Sequence, residues 1–261
     1  MKTLQFLLLS ACCALFFSSC QKESGKSTAT GADESINGAS TNTDALINVM
    51  KNIDPNNFVR KIDNPYLPWI PGTTFIYKNV IIEDGNQKVE IDTVYVTHDT
   101  KLILGVECRV VHDFVSRAGK RTEDTYDWYA QDKDGNVWYF GEDSKDLQHG
   151  QWVSEGSWEA GVNGAEPGIV MWAHPEDHIG EAYRQEYLKD TAEDKATVLS
   201  ANSSVAILMG TFKHCVVTQE KTRLEPDVRE TKSYAPGIGN ISTVMNEGGS
   251  EHEELVKIIN N

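Results

Sequence analysis

The sequence predicts a mainly β protein: two similar antiparallel meanders forming a sandwich or a barrel, with one short N-terminal helix. Three observations predict it. From Thr73 onward, β-branched and aromatic residues come in short runs broken by Gly, Asn and Asp, as strands and tight turns require. Two stretches, about 64–141 and 175–247, carry matching residues in the same order. A helical apolar period stands only ahead of these stretches, before a run of prolines.

Residues 1–19 read as a signal peptide, with Lys2, an apolar stretch from Leu4 to Phe17, and small Ser18 and Ser19 before Cys20. The apolar stretch is too short to persist as a membrane span. Phe17-Ser18-Ser19-Cys20 resembles the lipobox of bacterial lipoproteins. Leu9-Ser10-Ala11-Cys12 fits that short pattern better, since Phe17 stands where leucine is usual, but cutting there leaves too little apolar length before the site. It also leaves Ala14 to Phe17 on the mature amino terminus. Cys20 is therefore the expected lipidation site, and its lipid the expected membrane anchor.

Residues 20–43 form the expected lipidated start and tether, rich in Ser, Thr, Gly and charge, with too little apolar surface to order themselves. Gln21-Lys22-Glu23 resembles the surface-export signal of Bacteroidota lipoproteins. The resemblance implies an outer membrane lipoprotein, with the cell surface preferred over the periplasmic face. Residues 44–261 then form one β-rich domain. Asp44 is a good N-cap for a helix through Ala45, Leu46, Val49 and Met50, which Pro55 must end. Asn64 to Gly72 holds three prolines and must run as an extended strap.

The first set of strands is expected at Thr73–Ile82, Glu90–His98, Leu102–Val115, Arg121–Gln131 and Val137–Phe140. The second is expected at Tyr183–Leu188, Ala196–Leu199, Val205–Met209, Phe212–Glu220, Val228–Tyr234 and Ile241–Met245. Between them, residues 141–180 read as a Gly-rich, irregular connector. Gly72 and Phe75 match Gly180 and Tyr183, Cys108 matches Cys215, Tyr129-Ala130 matches Tyr234-Ala235, and Gly135-Asn136 matches Gly239-Asn240. The offset falls steadily along the chain, as small loop losses in a duplicated unit would produce. Closing such a sheet hides its strand edges.

Removing residues 1–19 leaves 242 of the 261 residues and takes away Lys2, so the formal charge moves from −15 to −16. Such a surface repels nucleic acid and anionic headgroups, and no nucleic-acid partner is expected. Cys108 and Cys215 read either as a disulfide in an oxidising compartment or as two thiols buried in separate strands.

The segment from Glu123 to Glu142, with Tyr129-Ala130-Gln131-Asp132 at its centre, follows the Asn64-Pro65-Tyr66-Leu67-Pro68 strap and the Pro71-Gly72-Thr73-Thr74 strand. Together they resemble a family of exported, uncharacterised bacterial proteins of Bacteroidota type. The resemblance runs from about Asn64 to Gly239 and implies a shared β fold without lending an activity.

No cofactor is implied by any motif, and no metal site is expected. Asp132, Asp134 and Asn136 alternate as calcium ligands do, but Gly135 and Glu142 fall at the fourth and eleventh positions, where an EF-hand needs the sixth and twelfth. Asp134-Gly135 between aromatic runs is a hairpin instead. His174 and His178 have the spacing of a zinc pair on a helix, which Pro175 and Gly180 oppose. Adjacent acids such as Glu123 with Asp124, and Glu142 with Asp143, read as solvated surface.

The preferred functional reading is a non-enzymatic envelope lipoprotein that binds a small molecule, a glycan or an envelope protein. The second reading is a secreted hydrolase using carboxylates in the 141–181 connector. Trp152, Trp158 and Trp172, beside Glu159, Glu166 and His174, make the connector the expected ligand surface, because long loops free of packing duty are where binding residues gather.

Overall fold

The structure, a computed structural model, describes residues 53–154 and 156–260. Cys20 and the predicted helix from Asp44 to Met50 lie outside the described residues. Helical geometry is confined there to two single 3-10 turns, Pro55–Asn57 and Pro175–His178. Neither is long or apolar enough to cross a membrane.

Among the described residues, seventeen strands follow in chain order. A short β1 (Phe58–Val59) precedes the strap. The first meander holds β2 (Thr73–Glu83), β3 (Asn86–Ile103), β4 (Val106–Arg117), a two-residue β5 (Lys120–Arg121), β6 (Glu123–Asp132) and β7 (Val137–Gln148). The next segment holds β8 (Gln151–Ser154), β9 (Trp158–Glu159), β10 (Glu166–Met171), β11 (Ala182–Arg184) and β12 (Glu186–Tyr187). The second meander holds β13 (Asp194–Ile207), β14 (Gly210–Thr222), β15 (Arg229–Ala235), β16 (Gly239–Glu247) and β17 (Glu251–Asn260).

All the ladders between these strands are antiparallel, and they bend the sheet into a nearly closed barrel. β17 joins the halves by pairing with both β16 and β2, so that Leu255 faces Tyr77. On the far side β7 pairs with β10, β10 with β12, and β11 with β13. The seam is Gln185, where the chain changes partner between β11 and β12. Gly168 of β10 permits this close passage, since a Cβ there would lie 2.5 Å from the Arg184 carbonyl oxygen.

Between sandwich and barrel, the structure decides for the barrel-like form. Residues 141–171, expected to be irregular, are mostly strand: β7 runs on to Gln148 and β10 is a stave. Their glycines disguise the strands by easing bulges and close approaches. At Gly141, with φ of 130°, a Cβ would sit 2.2 Å from the Trp158 carbonyl oxygen, so only glycine lets β9 lie against β7. β17 lies beyond Ile241–Met245, the last strand expected from the sequence.

The two meanders share ladder registers. Asp92 faces Val115 as Asp194 faces Thr222, Val111 faces Asp127 as Thr218 faces Lys232, and Arg109 faces Tyr129 as Val216 faces Tyr234. At the last turn they diverge, because Ala130 faces Trp138 whereas Ala235 faces Gly239. Gly239 therefore takes the register place of Trp138, not that of Gly135.

Inside the barrel, Phe75, Val96, Val111, Cys215, Ile241 and Leu255 form an apolar cluster. Trp69 of the strap packs against it, with its ring 6.0 Å from that of Phe75. Asn64 holds the strap in place. Its side-chain carbonyl accepts from the Tyr66 and Leu67 amides, and its amide donates to the Gly135 and Trp172 carbonyls. Gln131 adds a second clamp by accepting from the Asp63 and Asn64 amides.

Candidate functional site: an acidic cavity inside the barrel

Period-two alternation sends every second residue of a strand inward, and in this chain the inward set includes many acids. On β3, Glu90 and Asp92 continue the buried row of Val94 and Val96. On β4, Asp113 lies between Val111 and Val115, and on β6, Glu123, Thr125 and Asp127 all point in. The second meander repeats the pattern with Asp194 before Ala196, Glu220 after Thr218, and Glu230 two residues before Lys232. Of the adjacent acids expected at the surface, Glu123 and Glu142 are buried, while Asp124 and Asp143 are not.

These side chains enclose a cavity of about 140 Å³. The first meander contributes Asp92, Asp113 and Asp127 with Tyr77, Tyr129 and Tyr139. The rest of the barrel contributes Glu186, Asp194, Glu220 and Glu253 with Tyr234, and Trp69 and Leu67 of the strap complete the wall. Lys232 is the one basic residue among those lining it.

Most of the acids lining the cavity are buried, and their protonation states follow from that. Burial first, then the neighbouring Asp113 carboxyl, hold the Asp92 pKa well above the usual carboxylate range. Two such carboxyls can hydrogen-bond only by sharing a proton. Burial, reinforced by Asp113, pushes Asp127 up to about 8. The Tyr139 hydroxyl lies 2.6 Å from Asp127 and 3.0 Å from Glu142; it donates to one, and the other must bring its own proton. Glu186 and Glu253 are likewise raised by burial, Glu253 to about 8.

The second meander is neutralised differently. The Lys232 ammonium lies 2.7 Å from Glu220, whose other oxygen receives bonds from Gln185 and Thr218. Burial acts to lower the Lys232 pKa, but Glu220 and other acids around it hold it well above the usual lysine value, so it is a permanent cation.

Several polar atoms facing this space have no hydrogen-bond partner: one oxygen each of Asp92 and Asp194, both oxygens of Glu186, and the indole N–H of Trp69. Glu186 is only 1% exposed. The Trp158 indole N–H lies near enough to favour its charged form, yet outside hydrogen-bond geometry. Buried acceptors left open in this way are costly, and they ask for donors from a guest.

The expected connector residues do not converge. Trp158 is 4% exposed and packs edge-on against Tyr139, and Trp172 is 6% exposed and stacks on His178 at 3.9 Å. Trp152 is 45% exposed on the β7–β8 hairpin. Glu159 pairs with Lys101, which itself lies over the Trp128 ring, and Glu166 pairs with Arg184. His174 is exposed and pairs with Glu176 at 3.5 Å. Cys108 and Cys215 are both buried free thiols on β4 and β14.

Asp132 is occupied structurally, accepting from the Asn136 amide, the Asn136 side chain and the Trp138 indole. Among the described residues, no three His, Cys, Asp or Glu side chains are grouped to hold a metal ion.

No family model matches the chain, and no curated protein matches it. Among solved structures it is similar to a candidate exported protein with a YmcC-like fold from Bacteroides fragilis, 14% identical, covering 74% of this chain and 98% of that one, with a TM-score of 0.43. A candidate lipoprotein from Parabacteroides distasonis is 10% identical over 76% of this chain and 100% of its own, with a TM-score of 0.39. A β-barrel-like protein of a domain of unknown function from Brucella abortus is 12% identical over 71% and 96%, with a TM-score of 0.38.

Proposed function

We propose that this protein is an envelope lipoprotein, anchored through Cys20, whose folded part is a non-enzymatic binding module that takes a small molecule inside the barrel. The observation that carries the binding reading is the set of unpartnered carboxyl oxygens on Asp92, Glu186 and Asp194, all buried and all facing one cavity. A binding site for a donor-rich molecule needs such acceptors held in place beforehand, and aromatic walls to exclude water. A hydrolase in the connector has less support, since Glu159 and Glu166 are each engaged by a basic partner.

Two experiments test the two halves of this reading. Cys20→Ala should leave the protein unprocessed or released from membranes, read by detergent partitioning and intact mass; unchanged membrane retention would refute the anchor. For the site, a thermal-shift screen of small amines, polyols and sugars should find compounds that stabilise the intact protein. Their effect should be lost in Glu186→Gln combined with Asp92→Asn, and kept in Trp152→Ala. Loss with Trp152→Ala alone would move the site to the β7–β8 hairpin.

A further inference from the structure

The two meanders neutralise equivalent acids in different ways, and the difference points to a missing cation. By ladder register, Asp92, Asp113, Asp127 and Tyr129 of the first meander stand where Asp194, Glu220, Lys232 and Tyr234 stand in the second. Three of the four positions keep their chemistry, acid for acid and tyrosine for tyrosine. The fourth exchanges Lys232 for Asp127. In the second meander the ammonium sits 2.7 Å from Glu220. In the first, the equivalent Asp113 acts electrostatically on the acids Asp92, Asp127, Glu123 and Glu253, the register place of Lys232 holds Asp127, and one oxygen of Asp92 is unpartnered.

We infer that the cavity binds a small organic ammonium ion, with Asp92, Asp113 and Asp127 holding its charged head as Glu220 holds that of Lys232. This rests on the interior site proposed above and names its ligand class. The walls suit such a guest. Tyr77, Tyr129 and Tyr139 line the cavity and are each coupled electrostatically to one or more of these three acids, and aromatic faces attract a desolvated cation while covering its alkyl portion. Glu253 lines the same cavity and Glu123 lies at the edge of the group, while Lys232, the one basic residue in the lining, is already engaged by Glu220. A cavity of about 140 Å³ limits the guest to about six to eight non-hydrogen atoms, close to the size of benzene. The acids held neutral by burial supply the adjustment: a cation entering beside them favours their ionised form, and protons leave to solvent as it binds.

The test compares pentylamine and benzylamine with pentanol and benzyl alcohol by calorimetry on the intact protein. The amines should bind and raise the melting temperature, the alcohols at least tenfold more weakly. Asp127→Asn and Asp92→Asn should each weaken the amines tenfold or more. Asp127→Lys supplies a resident ammonium where the second meander has one; it should melt no lower than the natural protein and take no amine. Should that variant fail to fold, the two Asn variants carry the test. Amines that bind Asp127→Lys or the Asn variants undiminished would overturn the inference by placing them elsewhere. Alcohols or sugars binding as well as amines, with the loss confined to Glu186→Gln and Asp92→Asn, would overturn the ammonium class and leave the interior site standing. If no compound of any class binds, both readings fail.

Discussion

Lys232→Met should be the most damaging single substitution in the barrel, lowering stability by about 3–5 kcal/mol, the cost of leaving a buried acid without its counter-charge. For a protein of this size that corresponds to a fall in melting temperature of about 10 °C or more. The reason is local. Lys232 is the one basic residue lining the cavity, and Glu220 and Glu230 both act on it electrostatically. Met has nearly the length of Lys, so packing is kept and the charge alone is lost. Pairing the change with Glu220→Gln should recover a large part of the stability, because both members of the buried pair are then neutral. A double variant as unstable as the single one would mean that Lys232 acts through packing alone. Differential scanning calorimetry at neutral pH measures both.

The second large effect is an inverted dependence of stability on pH. Burial pushes Asp127, Glu230 and Glu253 up to about 8 and Asp194 up to about 6. In the unfolded chain such groups titrate near 4. Between those values the folded protein holds protons that the unfolded chain has released, so stability falls as pH rises. The contribution is fully present below about pH 4 and is lost as the pH climbs through about 8. One extra proton held across three pH units is worth about 4 kcal/mol, or about 10 °C in melting temperature. The protein should therefore melt higher at pH 5 than at pH 8.5, opposite to a protein whose carboxylates are mostly ion-paired. Asp127→Asn should flatten the slope, since the amide cannot ionise. A melting temperature that peaks near pH 8 would show these acids to be charged in the fold.

Both effects come from side chains that the sequence presents in the same phase as its apolar residues. Val94 and Val96 announce β3, and Glu90 and Asp92 continue their parity. Read singly, an acid in a chain of net charge −15 is surface. Read in phase with buried valines, Asp92, Asp113 and Asp127 are interior, and that parity was the signal available for the cavity.

What the sequence determined by itself was local. Runs of β-branched and aromatic residues made most strands of both meanders, and Asp84-Gly85, Ala118-Gly119 and Asp134-Gly135 made turns, because backbone preference and side-chain alternation act between near neighbours. Leu102–Val115, expected as one strand, is instead broken by a turn at Leu104-Gly105, and Ala196–Leu199 with Val205–Met209, expected as two, are covered by the single β13, which ends at Ile207. The strap was legible too, since its prolines forbid regular structure. Tertiary structure alone decided that residues 141–171 supply a barrel stave, that Glu251–Asn260 joins the two meanders, and that Trp158 and Trp172 are buried, the one against Tyr139 and the other against His178 and Tyr183. It alone decided, too, that acids from seven strands face one cavity around a single lysine. Curvature and closure set which side of each strand is inside, and whether an inward acid meets a cation, another acid or a guest depends on strands far away in the chain.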